Sequence, residues 1–353
     1  MNIKQNPPGA VGGTQQTTNF NGNFATNRQD GQDPVEGFLE AMTAAGIEPM
    51  NGFVPRDKLT RFRVAGDKVG SENGWAILHM DPPASGAFGH WRTGDRQNWC
   101  GKSRDMMTPG ERDVLRLRVE ADRLARAQEA DRRHRVAQAK AVRIWQGAAP
   151  VQANGHPYSN RKGVLSHGLR VTKRWVKKVQ DDAGIWRELI INNVLLVPMV
   201  DWYGVLWNVQ AIFAAKDATL GRDKDFLGGG LKCGLFHLLG TIDPSGTLLV
   251  AEGCSTGATL HETTGAPILV AFDAGNLLAV ATEARRRFPM IDLVVAADND
   301  RHTTGNPGLS KGRAAALASG ARLLVPSFAD DEPGSDWNDW HQLKKEAANV
   351  KSC

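Results

Sequence analysis

The sequence predicts an α/β protein: a C-terminal parallel-sheet domain, preceded by a mixed α+β subdomain, a long charged helix and a small α+β N-terminal module. Two patterns in the 353 residues carry the prediction. Apolar runs at Leu248 to Ala251, Ile268 to Ala271, Leu293 to Ala297 and Arg322 to Val325 alternate with helical patterns at Thr256 to Thr263, Ala274 to Phe288 and Lys311 to Ser319. Strands separated by helices of that length imply parallel βαβ crossovers with helices on both faces. Upstream, from Gly155, strands and loops alternate, with apolar runs at Ile190 to Val197 and Val205 to Phe213.

Residues 1–34 are rich in Gly, Asn, Gln, Thr and Pro and carry hardly any aliphatic pattern. Such a segment cannot offset its ordering entropy by burial, so it reads as a flexible tail. Residues 35–107 form the small module, with a short helix (Phe38, Leu39 and Met42 apolar) and turn-punctuated strands around Arg61-Phe62-Arg63-Val64 and Trp75-Ala76-Ile77-Leu78. Trp75, Trp91 and Trp99 lie among Arg61, Arg63, Arg92 and Arg96, an arrangement suited to stacking single-stranded bases. Core packing is the expected role of at least two of the three rings.

Residues 108–150 form the charged arm. Thr108 is placed to cap a helix with Glu111 in its first turn, and the helix can run to about Gln146. Its apolar residues are sparse and mostly Ala, and ten basic against six acidic residues suit a solvated helix supported by opposite charges at helical spacing. Residues 151–245 and 246–345 are the mixed subdomain and the parallel-sheet domain.

A hydrophobic content of 41% is ordinary for a folded protein, and the length allows two or three cores. Lys plus Arg exceed Asp plus Glu by 43 to 38, a mild excess that admits a polyanionic partner without requiring one. Cys100, Cys233, Cys254 and Cys353 lie far apart with no Cys-x-x-Cys, which excludes a sequence-local zinc ribbon and gives no disulfide framework. A reducing cytoplasm fits that usage. The longest apolar run, near Leu189 to Val200, is interrupted by Asn192 and Asn193, so no membrane segment is expected.

The chemistry concentrates at strand ends. The run ending in Ala251 is followed by Glu252-Gly253, and the run ending in Ala297 by Asp298-Asn299-Asp300, while Asp273 follows a third. Ligands of open α/β sheets bind at the carboxyl ends of the strands, and a set of hard oxygen donors favours Mg²⁺ or Mn²⁺ over zinc or copper. That donor set suggests phosphate chemistry. A single carboxylate at a strand end is usually there for solubility; Glu-Gly and Asp-x-Asp in register at two strand ends are not explained that way. Cys254, directly after Glu252-Gly253, lacks a histidine to activate it and reads as a neutral thiol.

At these residues the chain resembles the Toprim domain shared by primases, topoisomerases, recombination mediators and some nucleases. Val250-Ala251-Glu252-Gly253 and Ala296-Ala297-Asp298-Asn299-Asp300 carry that resemblance. The upstream text is similar to the core of plasmid- and phage-encoded primases: His156-Pro157-Tyr158 with Arg161-Lys162-Gly163, Leu196-Val197-Pro198-Met199, and the Phe226-Leu227-Gly228-Gly229-Gly230 turn. So are Val270 to Leu277 and Asp336-Trp337-Asn338-Asp339. Two departures stand out: the acidic motif is Asp-Asn-Asp rather than the commoner Asp-Gly-Asp, and the zinc ribbon found in many primases has no cysteines here.

The resemblance implies a Toprim-like parallel-sheet domain behind a primase-core subdomain, and a DNA primase that makes short RNA primers on single-stranded DNA by metal-dependent nucleotidyl transfer for a phage, plasmid or integrated element. It implies Glu252, Asp298 and Asp300 as catalytic and metal-binding residues, with Glu252 either a ligand or the proton-transfer group. Asp336 and Asp339 follow as outer metal-site candidates, and Arg161, Lys162, Lys224, Lys232 and Lys311 as contacts to nucleotide or DNA. Expected companions are Mg²⁺ or Mn²⁺ with no zinc, a single-stranded DNA template, ribonucleoside triphosphates, a separate replicative helicase and a nucleoid-associated place in a bacterial cytoplasm. A Toprim nuclease and a non-catalytic DNA-binding replication-assembly protein are the alternatives. No G-x-x-x-x-G-K-[ST] loop occurs, so helicase activity is not expected of this chain.

Overall fold

The computed structural model describes residues 24–25, 33–50, 52–67, 70–152, 155–180 and 185–351, so nearly all of the segment read as a tail lies outside the described residues. The chain divides into two units, Met1–Leu124 with Gln180–Trp186, and Ala125–Val179 with Arg187–Cys353. No helix among the described residues is long and apolar enough to cross a membrane.

The first unit contains β1 (Phe24–Ala25), α1 (Pro34–Ala44), β2 (Thr60–Phe62), β3 (Gly74–His79), β4 (Ser85–His90) and β5 (Arg96–Cys100), in a sheet of order β1-β5-β4-β3-β2. Asp33 starts α1 by accepting a hydrogen bond from the Val35 amide, and Pro34 occupies the first helical position. The helix buries Phe38 and Met42 against the sheet, and Phe38 meets Phe88 and Trp99 edge-on at 5.4 and 5.5 Å between centroids.

The long helix α2 (Pro109–Gly147) opens with a capping box: the Glu111 amide donates to the Thr108 hydroxyl at 3.2 Å, and the Thr108 amide donates to the Glu111 carboxylate at 2.7 Å. Along its exposed faces Arg132 pairs with Glu129 and Arg135 with Asp131, at 2.7 and 2.9 Å. Those pairs replace the apolar stripe that the sequence lacks.

The second unit holds two sheets. β6 (Ala149–Pro150), α3 (Pro157–Lys162), β7 (Arg170–Gln180), β8 (Trp186–Val200), β9 (Leu206–Asp217) and β10 (Arg222–Phe226) give a sheet of order β10-β9-β8-β7-β6, with Leu195 opposite Ile212 in the antiparallel β8–β9 pair. One face packs Val194, Leu196 and Phe213 against Ala141 of α2; the other carries Leu195, Val197 and Ile212.

The remaining elements are β11 (His237–Leu239), β12 (Thr247–Ala251), α4 (Cys254–Thr264), β13 (Ile268–Val270), α5 (Leu277–Arg287), β14 (Asp292–Ala296), α6 (Pro307–Ser319), β15 (Arg322–Leu324) and α7 (Trp337–Lys351). The sheet order is β11-β13-β12-β14-β15; β12 to β15 run parallel as the βαβ pattern predicts, and β11 is antiparallel to β13. Both faces are covered. Leu249, Ala251, Val270, Val294 and Ala296 share a core with Ala258 and Leu260 of α4, while Leu248, Val250, Leu269, Leu293 and Val295 share another with α5 and α6. Each fully buried Val or Leu is worth about 1.5–3 kcal/mol of transfer free energy, so these continuous apolar strands form only as a two-sided layer.

Candidate active site

Strand register gathers the site. Ala251 of β12 lies beside Ala296 of β14 and beside Val270 of β13, so all three strands end at one edge. Glu252 leaves β12 there, Asp298 and Asp300 follow β14, and Asp273 follows β13. Between Ala271 and Asp273 the chain turns through Phe272 at φ 73°, a left-handed conformation that costs a bulky residue energy and is held by burial.

Charge is concentrated at this edge. Burial pushes the Glu252 carboxyl up to about 7, and Asp300 adds to the effect while Lys224 opposes it. Asp298 is pushed up to about 8, first by burial and then by Glu252, Asp336 and Asp300. Glu252 Oε2 is buried with no hydrogen-bond partner among the described residues. Desolvated carboxylates that repel one another and leave an oxygen unpaired are relieved by taking a proton or by a cation.

Asp300 is anchored by α6, whose Gly308 amide donates to Oδ2 at 2.9 Å. A Cβ at Gly308 would lie 2.9 Å from the Asp298 carbonyl oxygen and from Asp300 Oδ2, so glycine permits this approach. The middle residue of the motif faces elsewhere. Asn299 donates to the Pro326 carbonyl at 3.2 Å and accepts from Asn306 at 2.8 Å, which gives asparagine a structural task where glycine is commoner.

The basic candidates separate. Lys224, on β10, is the cation that pulls both Glu252 and Asp298 toward ionisation. Burial works against its own charge, but Tyr158, Asp223, Cys254 and Asp336 outweigh that and raise its pKa. Lys162 reaches Asp339 at 3.2 Å and Asp336 at 3.7 Å, and Lys232 reaches Asp273 at 3.7 Å. Arg161 donates to the Ala214 carbonyl at 2.6 Å and lies over the Tyr158 ring. Lys311 is exposed on α6 and makes no ion pair among the described residues.

The acidic pair near the C-terminus also separates. Asp336 caps α7 by accepting from the Asp339 amide at 2.8 Å and contributes to the Asp298 shift, whereas Asp339 turns to Lys162 and the Ser335 amide. Asn338 is buried and donates to the Lys162 carbonyl and the Thr259 hydroxyl at 2.7 and 2.8 Å, docking α7 on α3 and α4. The reading of the residues missed Asn276 as a clamp. It accepts from the Gly234 amide and donates to the Leu235 and Ala271 carbonyls at 2.7 to 2.8 Å, fixing the loop after the Gly-rich turn to the end of β13.

As they stand, no three acidic, histidine or cysteine side chains among the described residues converge to enclose a metal ion. The all-oxygen donor set and the orphaned Glu252 Oε2 nonetheless fit a hard divalent cation.

Residues 247–347 match the Toprim domain family. The chain carries a Toprim domain. Its β12–α4–β13–α5–β14–α6–β15 layer and the Glu252, Asp298 and Asp300 edge lie within that match, and domains of this kind in primases generally use divalent metal. Two curated relatives, both DNA primase TraC of Escherichia coli, are 30% identical to this chain over 320 and 313 residues, covering 88% and 85% of it. The similarity therefore extends well beyond the Toprim domain. The chain spans only 28% and 20% of the length of those relatives. Among solved structures, the zinc-binding and RNA polymerase domains of the Aquifex aeolicus primase align with 91% of this chain and 84% of their own at 9% identity, with a TM-score of 0.40.

Proposed function

We propose that this chain is a DNA primase that synthesises short RNA primers on single-stranded DNA from ribonucleoside triphosphates. The observation that carries the reading is the 30% identity to DNA primase TraC over 320 residues, spanning both the acidic edge and the basic sheet upstream.

The chemistry of the residues supports it. A divalent cation, Mg²⁺ or Mn²⁺, held by Glu252, Asp298 and Asp300 with Asp336 outside them, would neutralise triphosphate charge and favour ionisation of the attacking hydroxyl. Lys224 faces the same edge and is the first candidate to bind the triphosphate oxygens. Glu252, with a carboxyl near 7, suits either ligation or acceptance of the 3′-hydroxyl proton. Lys232 and Arg161 are proposed to bind nucleotide or template, and Lys311 to meet phosphate from the exposed side of α6. Lys162 is proposed to act mainly by holding Asp336 and Asp339. The division into tail, module, arm, core subdomain and Toprim domain is proposed as the division of labour. A replicative helicase partner, a cytoplasmic, nucleoid-associated place in a bacterial cell, and replication of a phage, plasmid or integrated element belong to the same proposal.

The test is incorporation of labelled ribonucleotides on single-stranded DNA with no primer added, in Mg²⁺ or Mn²⁺. New RNA dependent on template supports the reading; cleavage of the template in its place makes the chain a nuclease.

A further inference from the structure

The Toprim site leaves the first unit without a task, and its sheet has an uncommitted face. One face of the sheet packs on α1. On the other, the register aligns Arg61, Trp75, Gly89 and Arg96 in one row across β2, β3, β4 and β5. A Cβ at Gly89 would lie 2.7 Å from the Trp75 ring, so the glycine lets that ring lie on the strand. Trp75 is buried beneath Trp91, whose ring centroid is 5.8 Å away at a 40° tilt, and Trp91 itself is 53% exposed. The far end of this face is occupied: Cys100 packs with Met107 and Leu115, His79 pairs with Asp122 at 2.9 Å, and Arg118 donates to the Ser85 hydroxyl.

The backbone that carries the exposed ring is held in place. The Trp91 amide donates to the Asn73 carbonyl at 2.8 Å, and the flanking turn is fixed by buried Asp67. Asn73, His90 and Arg92 bind the Asp67 carboxylate at 3.0, 3.0 and 2.9 Å. Those contacts hold the carboxyl below its ordinary value, chiefly through Asn73, despite its burial. Arg61 and Arg63 donate to the carbonyls of Glu72 and Asp67, which leaves their charge unmatched, and Arg96 is exposed with no ion pair among the described residues. Asp57, Asp67, Glu72 and Asp95 are the carboxylates near them in the chain, and among the described residues none pairs with Arg61, Arg63 or Arg96, the Asp67 carboxylate being taken by Asn73, His90 and Arg92.

We infer that this face is a second binding site for single-stranded DNA, in which a base stacks on Trp91 while Arg61, Arg63 and Arg96 meet the adjoining phosphates. A preset aromatic plane flanked by guanidinium groups fits an unpaired base; a duplex offers no free base face to it. The inference deepens the primase reading by giving the template a grip outside the Toprim site.

The test uses the full chain, bromouracil-substituted oligodeoxythymidylate, and neither metal nor nucleotide. Photocrosslinking is expected at Trp91, with affinity by fluorescence anisotropy about fivefold weaker or more in Trp91→Ala and near native in Trp91→Phe. Arg96→Ala is expected to reduce the dependence of affinity on salt. Equal affinity of the native chain and Trp91→Ala, or crosslinks confined to the second unit, overturns the inference. A crosslink at Trp91 in a chain that makes no primer sinks the primase reading alone; primer synthesis without that crosslink sinks this inference alone.

Discussion

Ala251 and Ala296 are register partners in adjacent parallel strands, and their pairing brings Glu252 and Asp298 out at the same sheet edge. The residues between the two strands form α4, β13 and α5, a crossover that makes the pairing parallel. Everything proposed for the site depends on that alignment, because it sets two desolvated carboxylates against each other.

The metal-free protein is expected to lose stability as pH rises. A carboxyl whose folded pKa lies above its unfolded value contributes stability that is complete below the unfolded pKa and is lost as pH climbs through the folded one. For Asp298 that window runs from 3.8 to about 8. Asp298→Asn removes the penalty and is expected to be more stable than the native chain by about 0.5–2 kcal/mol at the upper end of the window. Denaturant melts at several pH values with chelator present check this; a less stable variant contradicts it.

Lys224→Met removes the cation that favours ionisation of both Glu252 and Asp298. Protonated forms gain, so both pKa values rise further and the acid limb of the pH–rate profile moves to higher pH. KM for nucleotide is expected to rise as well. A profile that stays in place shows that Lys224 does not act on these carboxylates.

Gly308→Ala puts a methyl 2.9 Å from the Asp298 carbonyl oxygen and from Asp300 Oδ2. Overpacking of this kind costs about 1–3 kcal/mol. Displacement of the carboxylates by a fraction of an ångström is expected to lower kcat by about tenfold or more. Steady-state kinetics beside thermal melts separates the two effects.

Asn276→Ala strands the Gly234 amide and the Leu235 and Ala271 carbonyls. Buried groups left unpaired cost about 1–3 kcal/mol, which chemical denaturation reads directly. An unchanged midpoint would mean that water or a neighbour replaces the side chain.

The acidic edge was legible because strand ends are local: an apolar run followed by Glu-Gly or Asp-x-Asp needs no knowledge of the rest of the chain. The roles of the lysines were not. Lys162 and Asp339 meet across 177 residues, and nothing near Lys162 in the sequence announces a carboxylate partner. β7 was missed because basic residues interrupt Arg170 to Gln180 and the strand fully buries only Trp175; it is fixed by its neighbours. β4 was missed because Ser-Gly-Ala-Phe-Gly-His has too little side chain to show alternation, the space beside its glycines being filled by Phe38 and Trp75. Of Trp75, Trp91 and Trp99, Trp75 and Trp99 are core, as packing predicted, and Trp91 is the exposed one.

The most direct test of the central claim compares the native chain with Asp298→Ala and Glu252→Gln in primer-free ribonucleotide incorporation on single-stranded DNA with Mg²⁺ or Mn²⁺. The account predicts template-dependent RNA from the native chain and a loss of about a hundredfold or more in each variant, with folding and DNA binding retained. Synthesis that persists in both variants would place the chemistry elsewhere and contradict it.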